Sequence, residues 1–113
     1  MNLVEKDQKY IWHPFTQMKT APAPLPIVKG EGTLLIDDKG NSYIDAISSW
    51  WVNLHGHSHP YIAEKVYAQM LQLEHVVFAG FTHSPAVELC EKLSKHLPKN
   101  QEKFFFSGDG SSA

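Results

Sequence analysis

At 113 residues the chain is long enough for about one small domain with a modest core. Hydrophobic residues make up 42% and charged residues 19%, a globular composition, and a formal net charge of −2 excludes the basic footprint of a nucleic-acid binder. All ten basic residues are lysines, so no forked guanidinium is present to hold a phosphate or carboxylate, and an anionic ligand must be met by other groups.

The opening MNLVEKDQKY lacks the basic start and long apolar run of a signal peptide. No later stretch reaches the roughly 18 apolar residues of a membrane span, so the expectation is a cytoplasmic chain with no membrane partner. The single cysteine, Cys90, cannot form an internal disulfide, and its amphipathic surroundings predict a buried thiol in a reducing compartment. The pattern over residues 4–12 predicts a short helix. Pro22, Pro24 and Pro26 then remove backbone donors and favour extended structure, as in a connecting arm. Short β-prone runs near 27–29, 33–37 and 42–46, separated by Gly-containing turns, predict a small antiparallel meander.

Pro60 suits the first turn of a helix, in which Ile62, Val66 and Met70, with Ala63, Tyr67 and Leu71, recur at helical spacing through about His75. For the next helix Ser84 is the expected N-cap and Pro85 the first helical position. Ala86, Leu89, Cys90, Leu93 and Leu97 form its apolar stripe, and Pro98 ends it. KFFFS at 103–107 reads as a buried strand, followed by GDGSSA. A buried strand needs neighbours on both sides, whereas only short edge-like strands precede it, so the expected fold is the N-terminal piece of a larger α/β enzyme.

Three groups of residues are candidates for chemistry. If the segment is extended, His55, His57 and His59 face one way and offer three nitrogens to a zinc ion. Against this, no aspartate follows until Asp109, Gly56 permits a tight turn, and His59-Pro60 starts a helix, all of which favour structural histidines. Trp50 and Trp51 cannot both face one side of an extended segment, so one is expected to anchor the core and the other to wall a pocket for a substrate with a hydrocarbon portion. The backbone donors of Gly110, Ser111 and Ser112, with the serine hydroxyls, suit a phosphate if a helix begins there, although GDGSS matches neither the P-loop nor the dinucleotide fingerprint and a plain turn stays open.

Taken together, WHPFTQM at 12–18, G-x-x-L-x-D-x-x-G-x-x-Y-I-D-A from Gly32 to Ala46, SSWW at 48–51, HGHSHP at 55–60, THSPAVELC at 82–90 and the final DGSSA resemble the adenosylmethionine-8-amino-7-oxononanoate aminotransferases. These are a branch of the class III pyridoxal-phosphate (PLP) aminotransferases. The resemblance spans residues 10–113, and WHPFTQM with SSWW is its most specific part.

The resemblance implies fold type I, with residues 1–58 as N-terminal arm and small β-meander, and residues 59–113 as helices and first strand of an incomplete PLP-binding domain. It implies a homodimer, with the segment VVFAGFTHS near the subunit interface. It also implies the biotin-pathway reaction, transfer of an amino group to 8-amino-7-oxononanoate to give 7,8-diaminononanoate. Trp50 would contact that keto acid, with Trp51 beside it, Gly110 and Ser111 would hold the PLP phosphate, and Phe15 would sit where the amino donor is recognised. Many members carry tyrosine where Phe15 stands, which leaves the donor open between S-adenosylmethionine and another amine such as lysine; a second departure, Gly108 in place of a common aspartate, is minor. The family's Schiff-base lysine falls beyond residue 113, so the expectation is that this chain alone does not turn over. Another class III aminotransferase, or a non-catalytic ligand- or zinc-binding module, are the alternatives.

Overall fold

The computed structural model describes residues 1–113, which form two compact units, 1–68 and 69–113. The first opens with helix α1 (Leu3–Tyr10). Its start is a reciprocal capping box, in which the Asn2 side chain accepts the Glu5 N–H at 2.9 Å and the Glu5 carboxylate accepts the Asn2 N–H at 2.9 Å. The helix ends two residues short of the expected Trp12, because Ile11 turns extended ahead of His13-Pro14, where a proline disfavours helical backbone. The proline arm that follows has no regular structure before residue 27.

Strands β1 (Ile27–Glu31), β2 (Leu34–Asp37) and β3 (Ser42–Ile44) form the predicted antiparallel meander in the order β1-β2-β3. Gly30 faces Leu35, and Leu35 faces Tyr43, which sets the register. The β2-β3 turn is organised by one carboxylate. Asp37, only 3% exposed, accepts the N–H groups of Lys39 and Asn41 at 2.9 and 2.8 Å, the Asn41 amide at 2.9 Å and the Tyr43 hydroxyl at 3.0 Å. No helix packs on this sheet, and Val28 and Ile44 are exposed.

Residues 55–58 dock on the β1-β2 hairpin. Gly32 and His57 exchange backbone hydrogen bonds at 3.1 and 2.8 Å, and the Ser58 hydroxyl donates to the Gly30 carbonyl at 2.8 Å. The contact is too close for side chains: a Cβ on Gly30 would lie 2.7 Å from that of His57, and one on Gly56 would lie 3.0 Å from the Gly32 carbonyl oxygen.

Helix α2 (Pro60–Gln72) stops short of the expected His75. Its apolar stripe is present but uncovered, with Ile62, Val66 and Met70 all exposed. No helix is long and apolar enough to cross a membrane.

In the second unit, helix α3 (Ser84–Ser94) begins one residue earlier than expected, with extended His83 as N-cap and no side-chain cap bond. Ser84 is therefore inside the first turn. The stripe buries Ala86 but leaves Leu89 and Leu93 exposed and the Cys90 thiol half-buried, not buried. The helix ends at Ser94, before Leu97, where the Ser94 hydroxyl turns back to the Glu91 carbonyl. The largest correction concerns 103–107, which form no strand. A buried strand needs a ladder on both sides, and no strand of this chain pairs with KFFFS; Phe105 is 94% exposed. Phe106 instead stacks on Phe78 at 5.8 Å between ring centroids, and Phe78 stacks on His83 at 5.0 Å.

Candidate functional site

The tryptophans do not lie in an extended segment. Ser48–Trp51 form a single helical turn in which all four residues have positive φ, at 49°, 48°, 63° and 70°. For residues with a Cβ this left-handed backbone costs about 1–2 kcal/mol each, so it persists only where surrounding bonds impose it. The Asp45 carboxylate supplies those bonds. It accepts the Ser49 N–H at 2.9 Å and the Ser49 hydroxyl at 2.7 Å, and the Trp51 N–H closes the turn on the Ile47 carbonyl at 2.8 Å.

Asp45 also meets His57 Nε2 at 2.8 Å, with the two side chains 6% and 15% exposed. The Ser49 N–H, then its hydroxyl, then His57 hold the Asp45 carboxyl down to about 2. An ionised carboxylate only accepts, so His57 carries its proton on Nε2 in this bond. One carboxylate therefore ties the turn to the loop docked on the hairpin.

This turn brings Trp50 to Phe15. The rings meet edge to face, 5.1 Å between centroids and 62° between planes, and Phe15 itself sits at φ 52°. Trp50 is 57% exposed and Trp51 77%, so neither anchors a core, contrary to the expectation drawn from an extended segment. The pair Phe15-Trp50 makes an open aromatic face, with Trp51 next to it in the same turn.

The histidines diverge. Gly56 at φ 81° and Ser58 at φ 54° break the alternation that would align them. His57 is committed to Asp45, His55 and His59 meet edge-on at 6.2 Å, and no three metal-ligating side chains converge. His59 Nδ1 is buried without a partner.

Gly110 and Ser111 belong to the second unit. There the Asp109 carboxylate accepts the Ser112 N–H at 2.7 Å and its hydroxyl at 2.9 Å, and its carboxyl is held below the usual range by the Ser112 N–H first and its hydroxyl next. The donors of this turn thus already serve an anion. Open space around Gly110 leaves its backbone accessible, so the residues suit a phosphate in kind, with Gly110 and the Ser111 hydroxyl as the donors Asp109 leaves over.

Sequence reasoning missed two polar pairings. The first is Asp45 with Ser49 and His57; an aspartate four residues before a serine was its only local signal. The second is Asp7 with His13, whose side chains meet at 2.8 Å beside a cavity of about 450 Å³ lined also by Thr16, Met18, Pro22 and Pro24. The Asp45-His57 contact joins residues 12 positions apart, which no local pattern connects.

Comparison with known proteins places this chain in a family. The class-III aminotransferase family matches residues 15–113, and the chain belongs to that family. Over 104 residues it is 51% identical to adenosylmethionine-8-amino-7-oxononanoate aminotransferase of Synechococcus elongatus, covering 92% of this chain and 24% of that protein. The enzyme of the same name from Methanocaldococcus jannaschii is 45% identical over 115 residues, covering 99% and 25%. Its crystal structure superposes with a TM-score of 0.88 over 96% of this chain and 25% of that one, at 43% identity. An omega transaminase from Pseudomonas jessenii, solved in complex with PMP, gives 0.79 over 87% and 22%, at 34% identity. The chain thus spans about a quarter of the length of the relatives it matches and has the fold of the corresponding part of a transaminase.

Proposed function

We propose that this chain supplies the substrate wall and part of the phosphate site of a PLP-dependent aminotransferase that converts 8-amino-7-oxononanoate to 7,8-diaminononanoate in biotin synthesis. The observation that carries the reading is the Phe15-Trp50 pair, an exposed aromatic face held by a strained turn. Such a face is suited to the hydrocarbon chain of the keto acid. Trp50 contacts that chain, Trp51 extends the wall, and Phe15 stands at its edge, where the amino donor, S-adenosylmethionine or lysine, is recognised. Gly110 and Ser111 donate to the cofactor phosphate. PLP, when bound, supplies the electron sink that lets an amino group pass from donor to keto acid. The residues of this chain bind and orient; the chain contains no group to which we assign the Schiff base, and by itself it does not turn over.

The homodimer belongs to the same proposal, supported by the exposed run Val77, Phe78 and Phe81, a patch suited to a second subunit. A cytoplasmic location fits the unpaired Cys90.

The test is a chimera in which residues 1–113 replace the matching quarter of the Methanocaldococcus jannaschii enzyme. The expected result is PLP binding, seen in its visible absorbance, and formation of 7,8-diaminononanoate, with Trp50→Ala raising KM for the keto acid. A chimera that binds PLP yet transfers no amino group to this keto acid overturns the reading.

A further inference from the structure

We propose that Asp45 is the positioning residue of the aromatic wall: by holding Ser49 and His57 together it maintains the left-handed turn that presents Trp50 to Phe15. The proposal rests on the reading of Trp50 as substrate wall and adds to it the residue that sets the wall's geometry.

Three observations converge on Asp45. Its backbone is fixed to the sheet, since its N–H donates to the Thr33 carbonyl at 2.8 Å, one residue before β2. Both carboxylate oxygens are used, Oδ1 by the Ser49 N–H and Oδ2 by the Ser49 hydroxyl and His57. The space beside it, lined by Gly32, Ser48, Asn53, Gly56 and His57, is about 100 Å³. That is well below the roughly 300 Å³ at which small-molecule pockets begin, so Asp45 is not placed to touch an eight- or nine-carbon substrate. It acts through its neighbours.

The alternative source of the turn is the chain's own preference, and the backbone argues against it. Four successive non-glycine residues at positive φ do not follow from residue preference, and the Trp51 N–H bond to the Ile47 carbonyl closes the turn without setting its hand. A carboxylate that accepts from the second residue of the turn while its own N–H is pinned to the sheet supplies an external reason. His57 makes the arrangement rigid from the other side, because its ring lies against Gly30 and its backbone is paired with Gly32. The wall is thus referenced to the hairpin through Asp45 on one path and through His57 on another.

The test is nuclear magnetic resonance on the chain without substrate, reading the cross-peak between the Phe15 ring and the Trp50 indole. Asp45→Asn keeps the size but leaves one accepting oxygen, and it is expected to abolish the cross-peak while the Leu35 and Tyr43 amides of the sheet keep their positions. Adding Ser48→Gly to that variant is expected to restore it, since Ser48 sits at φ 49° and glycine takes positive φ without strain. A cross-peak that survives Asp45→Asn, or one that Ser48→Gly leaves absent over an intact sheet, overturns the proposal. Should Asp45→Asn unravel the sheet, Ser49→Ala decides, for it removes one arm only: a weakened cross-peak supports the clamp and an unchanged one overturns it. Because no substrate is present, failure here leaves the substrate assignment of Trp50 standing, and a chimera that rejects the keto acid leaves the clamp standing.

Discussion

The Phe15 ring stands edge-on to the Trp50 indole with 5.1 Å between centroids, joining two residues that lie 35 positions apart in the sequence. An edge-to-face pair contributes about 0.5–1.5 kcal/mol, and at 90% exposure for Phe15 this one belongs at the lower end. The pair is a geometric device more than a stabilising one.

That geometry makes residue 15 a test of donor choice. Phe15→Tyr adds one hydroxyl at the rim of the wall, and a hydrogen bond gained there contributes about 0.5–1.5 kcal/mol. In the chimera, kcat/KM with S-adenosylmethionine is expected to rise about two- to tenfold relative to that with lysine. An equal change for both donors would remove Phe15 from donor recognition.

Acid acts on the two carboxylates that organise the first unit. Asp37 and Asp45 are each held down to about 2, Asp37 chiefly by the Asn41 amide and Asp45 chiefly by the Ser49 N–H, against 3.8 for a free aspartate. In that interval the unfolded chain binds more protons, so their contribution is complete above pH 3.8 and is lost as pH falls toward 2. The Tyr43 hydroxyl is shifted upward, mainly by its bond to Asp37, so its contribution is complete below pH 10 and lost at more alkaline pH. Following the Tyr43 and Asn41 resonances from pH 5 to 2 is expected to show the turn opening below about pH 4, with Asp37→Asn removing most of that dependence. Unchanged acid sensitivity in Asp37→Asn would contradict the assignment.

Gly56→Ala is expected to destabilise the first unit by about 1–3 kcal/mol, because φ 81° is strained for alanine and the new Cβ would press on the Gly32 carbonyl. Gly108→Ala meets nothing within 4 Å and is expected to stay within about 0.5 kcal/mol of the parent. Thermal melting of the two variants side by side checks the contrast, and equal melting temperatures would refute the close approach at Gly56.

Zinc added to the chain is expected to find no stoichiometric site that depends on His57, since that ring is bonded to Asp45 and the three imidazoles do not converge. Calorimetric titration of the parent and of His57→Ala decides; a tight site present in the first and absent in the second would restore the metal reading.

Local patterns carried much of the fold. Pro60 and the spacing of Ile62, Val66 and Met70 marked α2; Ala86 and Leu89 marked α3; the turn-rich stretch from Gly32 to Asp45 marked the meander. These features depend on backbone preferences within a few residues, which a single sequence displays. The motif G-x-x-L-x-D-x-x-G-x-x-Y-I-D-A also gains a physical meaning, because Asp37 and Tyr43 close one turn and Asp45 clamps the next.

What periodicity left open is the environment in which those elements sit. KFFFS has the composition of a strand, yet strand structure is a pairing, and no segment of this chain pairs with it. Cys90 lies on an apolar stripe, yet burial depends on what covers the stripe. The left-handed turn at Ser48–Trp51 contradicts every local preference of its residues and exists through bonds to Asp45. The sequence by itself determined the helices, the hairpins and the family resemblance, since these follow from neighbouring residues; the tertiary structure alone decided that Trp50 faces Phe15 and that His57 serves Asp45, since both contacts join groups brought together only when the chain folds.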